Sequence, residues 1–183
     1  NNNRISTYTY DGTLIAHYGS FGIGNTSFDA PTSIVLNTAS TRAWVLDSGN
    51  SRLVMHSLPF GSSSFLDSDT ATESCTSVAI GNSNIYAVDN LNDNVRIYTY
   101  TSSTVSYSTT FGGTGSTNGY FNSPNGVAVK STGDILVTDT LNNRVSVFDS
   151  SNTWQSNFGS SELDGPLGVH IDESDRVYVS DAT

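Results

Sequence analysis

Lysine occurs once in this chain, at Lys130, and acidic residues outnumber basic ones so far that the formal net charge is −10. Such a balance repels phosphate backbones, so nucleic-acid binding through charge is not expected. Cysteine also occurs once, at Cys75, which excludes a disulfide framework within the sequence and leaves a buried thiol or a bridge to residues outside it. No run of 18 apolar residues is present, which excludes a membrane-spanning helix. Neither a signal peptide nor an initiator Met is visible, which reads as a mature or excerpted segment. Apolar spacing at 3, 4 and 7 is missing from every window of a dozen residues, so amphipathic helices are not expected.

What is abundant is Ser, Thr, Asn and Gly, which favour turns and β-edges and depress helix. The composition matches secreted or cell-surface chains, so the expected location is extracellular. One glycosylation acceptor, Asn25-Thr26-Ser27, lies in a Gly-rich stretch with room for a glycan.

The chain is repetitive. Asp47, Asp89, Asp139 and Asp181 recur at intervals of 42, 50 and 42 residues. Each closes a β-branched or aromatic run such as Ile135-Leu136-Val137-Thr138. A second apolar run precedes each of these, such as Gly126-Val127-Ala128-Val129, headed by Pro31, Cys75, Pro124 or Pro166. After the acid comes an Asn-rich turn, then a third run opening near an Arg, and a fourth that ends in aromatic-Gly where it is complete. Turns this short make the unit four antiparallel strands. A single such sheet cannot bury both faces. Sheets leaning on one another around an axis can, and the result is a β-propeller. The apolar first and second strands suit the positions near the axis.

The stretch "SPNGVAVKSTGDILVTDTLNNRVSVFD", residues 123–149, resembles the NHL repeat in its proline, its Gly-Val-Ala-Val strand, its Val-x-Asp strand end, its Asn-x-Arg turn and its Val-x-Val-Phe strand. The resemblance implies an all-β propeller of four-stranded antiparallel blades, NHL-type, with about four repeats present. Residues 1–30 read as the outer half of a split blade plus a connector, 31–74, 75–123 and 124–165 as blades, and 166–183 as an inner half-blade. The two halves either complete each other in a four-bladed ring or belong to a longer ring. Family members usually have six blades, and that is the arrangement expected. Residues 58–74 lack a clear fourth strand, so an irregular outer edge is expected there.

Asp47 with Arg52, Asp139 with Arg144, and Asp181 with Arg4 across the split are read as structural turn pairs. The acid would accept turn N–H groups and the Arg would reach back to it or to turn carbonyls. Asp89 is the departure, because Asn94 stands where its Arg belongs and Arg96 comes two residues later. Chemistry-bearing candidates are few. His170 replaces Ala128 in the innermost strand and is expected near the axis. Asp67, Asp69 and Glu73 are the weak metal candidates, a loose calcium loop at most. No nucleophile elbow, phosphate loop or Cys-His pair is present. Some NHL-like enzymes use a His-rich metal set in the channel, and that set has no counterpart in this sequence. The expectation is a non-enzymatic extracellular binding or assembly module with no cofactor, taking a protein or glycan partner or assembling with itself. The alternative is a metal-dependent lyase or hydrolase in the propeller channel.

Overall fold

A computed structural model describes residues 2–61, 64–70, 74–81 and 83–182. The described residues form sixteen strands, paired antiparallel in sequence order. β1 (Ile5–Tyr8) and β2 (Leu14–Tyr18) make a hairpin. The first complete blade holds β3 (Pro31–Leu36), β4 (Arg42–Asp47), β5 (Arg52–Ser57) and β6 (Phe65–Thr70). The second holds β7 (Cys75–Ile80), β8 (Asn84–Asp89), β9 (Asn94–Tyr100) and β10 (Val105–Gly112). The third holds β11 (Pro124–Val129), β12 (Ile135–Asp139), β13 (Arg144–Phe148) and β14 (Trp154–Phe158). A second hairpin, β15 (Pro166–Ile171) with β16 (Val177–Asp181), follows.

The first strands of consecutive sheets touch, β3 on β7, β7 on β11 and β11 on β15, which is the propeller arrangement. The core lies between blades. Trp44, Leu46, Leu53 and Met55 of the first blade meet Val78, Ile85, Ala87 and Tyr98 of the second. On its other face the second blade presents Ala79, Val88 and Val95 to Val127, Ile135 and Phe148 of the third. Each fully buried Leu, Val or Phe contributes roughly 1.5–3 kcal/mol. The approach near the axis is close: a Cβ on Gly126 would lie 2.6 Å from the Leu167 carbonyl oxygen, so the bare backbone is required there.

One expectation is corrected. The described part of residues 58–74 holds a fourth strand that the sequence does not announce. β6 pairs with β5 from Arg52↔Thr70 to His56↔Phe65, interrupted by one bulge at Met55/His56. Of the two arrangements open to the half-blades, closure on each other is the one that does not occur. β1–β2 and β15–β16 are separate two-stranded sheets with no hydrogen bonds between them, so a four-bladed ring is not formed.

Candidate functional site

The corner begins with a strand that must turn sharply. After Asp139 the chain makes one 3-10 turn, Thr140–Asn142, and leaves it through Asn143 at φ 53°. Asn tolerates that left-handed conformation because its short side chain bonds locally. Asp139 is fully buried, and its carboxylate accepts from Arg144 Nε at 2.7 Å, from the Asn142 carboxamide and from the Asn122 N–H at 2.7 Å. Asp47 repeats this with Arg52 Nε at 2.7 Å, Asn50 and the Asp29 N–H at 2.6 Å.

The corner does not serve only its own turn, as the sequence suggested. Arg144 donates to the carbonyls of Ser116, Thr117 and Tyr120, and Arg52 to those of Ile23, Gly24 and Ser27. Those carbonyls lie in the connector that enters the blade, so each corner clamps a long loop onto a short turn. The residue before the Arg, or before Asn94 where the Arg is displaced, works forward to the next connector. Asn3 accepts from the Ala30 N–H, Asp93 from the Ser123 N–H and Asn143 from the Gly165 N–H. Each of these side chains stands on a backbone at positive φ.

Asp89 has found its arginine further along the strand. Arg96 Nε lies 2.9 Å from Asp89, and Asn92 supplies both its carboxamide and its N–H. Burial pushes the Asp89 carboxyl up, but hydrogen bonds from Ser74, Asn92 and Arg96 outweigh it and hold the group below the usual carboxylate range. Arg4 and Asp181 do not pair: Arg4 is exposed, and Asp181 accepts from the Asp164 N–H instead. They stand on separate sheets, so the split corner is not assembled.

The candidate metal ligands are employed elsewhere. Asp67 accepts from the Val105 N–H at 2.8 Å and Asp69 from the Tyr107 N–H at 2.7 Å, so both carboxylates cover the outer edge of β10. Glu73 lies outside the described residues. His170 is exposed and pairs across β15–β16 with Tyr178. Ala79, at the matching place in its blade, packs toward the following blade, and His170 occupies that same side of a sheet left uncovered. Among the described residues no three His, Cys, Asp or Glu side chains are placed to hold a metal ion. Cys75 is buried, and burial, reinforced by the Asp89 charge, pushes its thiol up to about 12, so it is an inert core group. His56 is fully buried among Tyr18, Phe28, Phe60 and Phe65, with Nε2 lacking a partner. Burial, aided by the Arg52 charge, lowers it to about 4, so it is neutral at pH 7.

Sequence reasoning missed the surface that the corners create. Phe21 and Ile23 on the first connector, Tyr120 on the second, and Leu91 and Leu141 in the turns are exposed at the same end of the blades. Ile23 and Leu91 are the most open, at 82 % and 79 %. The signal was available: a Leu stands two residues after the acid in both "DNLNDN" and "DTLNNR", where turn chemistry calls for polar residues. Asn25 is exposed on the connector that carries Ile23.

A family model described as NHL repeat matches residues 121–148. No curated protein sequence matches the chain. Solved propeller structures do. A gluconolactonase of Xanthomonas campestris superposes with a TM-score of 0.71 at 12 % identity, over 98 % of this chain and 63 % of its own. The periplasmic gluconolactonase of Pseudomonas aeruginosa gives 0.69 at 13 %, over 97 % and 56 %. A catalytically inactive virginiamycin B lyase of Staphylococcus aureus gives 0.62 at 12 %, over 98 % and 56 %. At such identities the likeness concerns the fold. The chain spans little more than half the length of the first of these neighbours.

Proposed function

Taking residues 121–148 as an NHL repeat within a β-propeller, we propose that the chain is a non-enzymatic recognition module that binds a protein partner through the corner end of its blades. The observation that carries this reading is the set of exposed apolar side chains on clamped loops. Exposed apolar groups gathered on rigid loops are the usual anchors of protein interfaces. The acids support it from the other side, because Asp47, Asp89, Asp139, Asp67 and Asp69 all hold backbone or arginine and none is left as a base. An extracellular setting belongs to the same proposal, supported by the Ser/Thr/Asn-rich composition and the exposed acceptor Asn25.

The test is affinity capture from extracts with the wild-type chain and with the Leu91→Asp/Leu141→Asp variant. Proteins retained by the first and lost by the second, with equal melting temperatures, are the expected result. Identical retention by both chains would overturn the reading.

The second reading is a metal-dependent lyase or hydrolase, favoured by the lyase and lactonases among the structural neighbours. Among the described residues His170 has no further ligands beside it, which does not suit this reading. Stoichiometric divalent metal in the purified protein, together with lactone hydrolysis, would establish it.

A further inference from the structure

The end of the blades opposite the corners carries a cavity of about 270 Å³ between the first three blades, its wall part polar, with Asn37, Thr38, Tyr100, Lys130 and Ser131, and part apolar, with Ile80 and Val129. Lys130 is the only lysine of a chain with net charge −10. Five of the six arginines are bound, Arg42 to the Ser102 carbonyl and Arg52, Arg96, Arg144 and Arg176 to carboxylates. The Lys130 ammonium makes no ion pair or hydrogen bond among the described residues, and neither does the Tyr100 hydroxyl.

Three of the lining residues around these donors are held in place. The Tyr100 ring lies against Trp44, centroids 4.6 Å apart. Asn37 is held by the N–H groups of Thr41 and Arg42, and Ser131 is bonded to Asp175 of the next sheet. The space is below the ~300–1,000 Å³ of sites for drug-sized ligands and suits a single ring.

One ammonium, one phenol and a threonine hydroxyl around such a volume match a small polyol with a single carboxylate. We propose that this cavity binds a sugar acid, its carboxylate on Lys130 and its hydroxyls on Thr38, Tyr100 and the free carboxamide hydrogen of Asn37. The net charge disfavours long polyanions, while at physiological salt its reach is screened beyond ~8 Å and leaves a contact with Lys130 intact. The proposal is independent of the apolar face at the other end.

A lone lysine permits a direct test. With ¹³Cε-labelled lysine the chain gives one side-chain signal. Galacturonate should move it saturably, galactose should not, and acetate should bind at least tenfold more weakly because it has no hydroxyls. By calorimetry Lys130→Gln should lose at least tenfold in galacturonate affinity, and Thr38→Val should lose severalfold. If Lys130→Gln proves less stable, the labelled unaltered chain decides. A lysine signal that does not respond to millimolar galacturonate, acetate binding as tightly, or unchanged affinity in a folded Lys130→Gln would each overturn the proposal. Methyl galacturonoside distinguishes the sources: tight binding points to a glycan end, loss of binding to the free acid, and either result retains the site.

Discussion

Asp139 and Asp172 each face an arginine at 2.7 Å, but the two pairs differ in what surrounds them. Asp139 is fully buried, so removing its carboxylate strands a desolvated guanidinium and three connector carbonyls that depend on its position. Asp139→Ala should destabilise by roughly 3–5 kcal/mol in a urea melt. Asp172 pairs with Arg176, whose side chain is 71 % exposed, and solvent screening should make Asp172→Ala far less costly than Asp139→Ala in the same melt. Equal losses would contradict the account. Acidity probes two further groups. His56 has a folded pKa below its unfolded 6.5, so its contribution is complete above that value and declines as pH falls toward 4. The depressed Asp89 carboxyl acts in the same direction, but only below its unfolded value near 4. The urea midpoint should therefore fall between pH 6.5 and 4, and His56→Leu should flatten that part of the profile. The acids and their usual arginines were legible in the sequence because their spacing recurs. Arg96 was ambiguous for a geometric reason. Side chains two apart on a strand share a face, so positions 94 and 96 both address Asp89. The clamped carbonyls had no signature, since every residue carries one.

β6 shows how an element can be hidden by its own composition. Asp67-Ser68-Asp69 is a poor strand by propensity, and nothing in its composition suggests that it pairs. Tertiary context overrides this: β5 offers an edge, and the two carboxylates find N–H donors on β10. These acids thus blunt an outer edge that would otherwise present free donors to another chain. In Asp67→Ala/Asp69→Ala the amides of Val105 and Tyr107 should exchange markedly faster with deuterium, while those of β8 and β12 stay protected. Unchanged exchange at both positions would show that the edge is closed by other means. Of the remaining strands, the inner two of each blade were the most legible, because burial on both faces leaves near-continuous apolar runs.

At the scale of the whole molecule, each sheet is stabilised by its neighbours in sequence, and the repeat interval made the propeller readable before any contact was known. What that interval could not locate was the direction in which a given side chain leans: His170, on the first strand β15, stands exposed on an uncovered face of its sheet. Dependence on neighbours predicts a gradient of protection. β8 and β12, packed between blades, should be the slowest to exchange, and β1–β2 and β15–β16, each with a face uncovered, the fastest. Uniform protection across all sheets would contradict it.

The clamps on the connectors have a consequence for variation. On the connectors Arg52 and Arg144 grip main-chain oxygens, so these clamps do not depend on the side chains that each loop displays outward. Outward residues at positions such as 21, 23 and 120 can therefore be exchanged freely while their placement stays constant. A lineage built on this plan could acquire new specificities by substitution alone, with no redesign of the backbone that presents them.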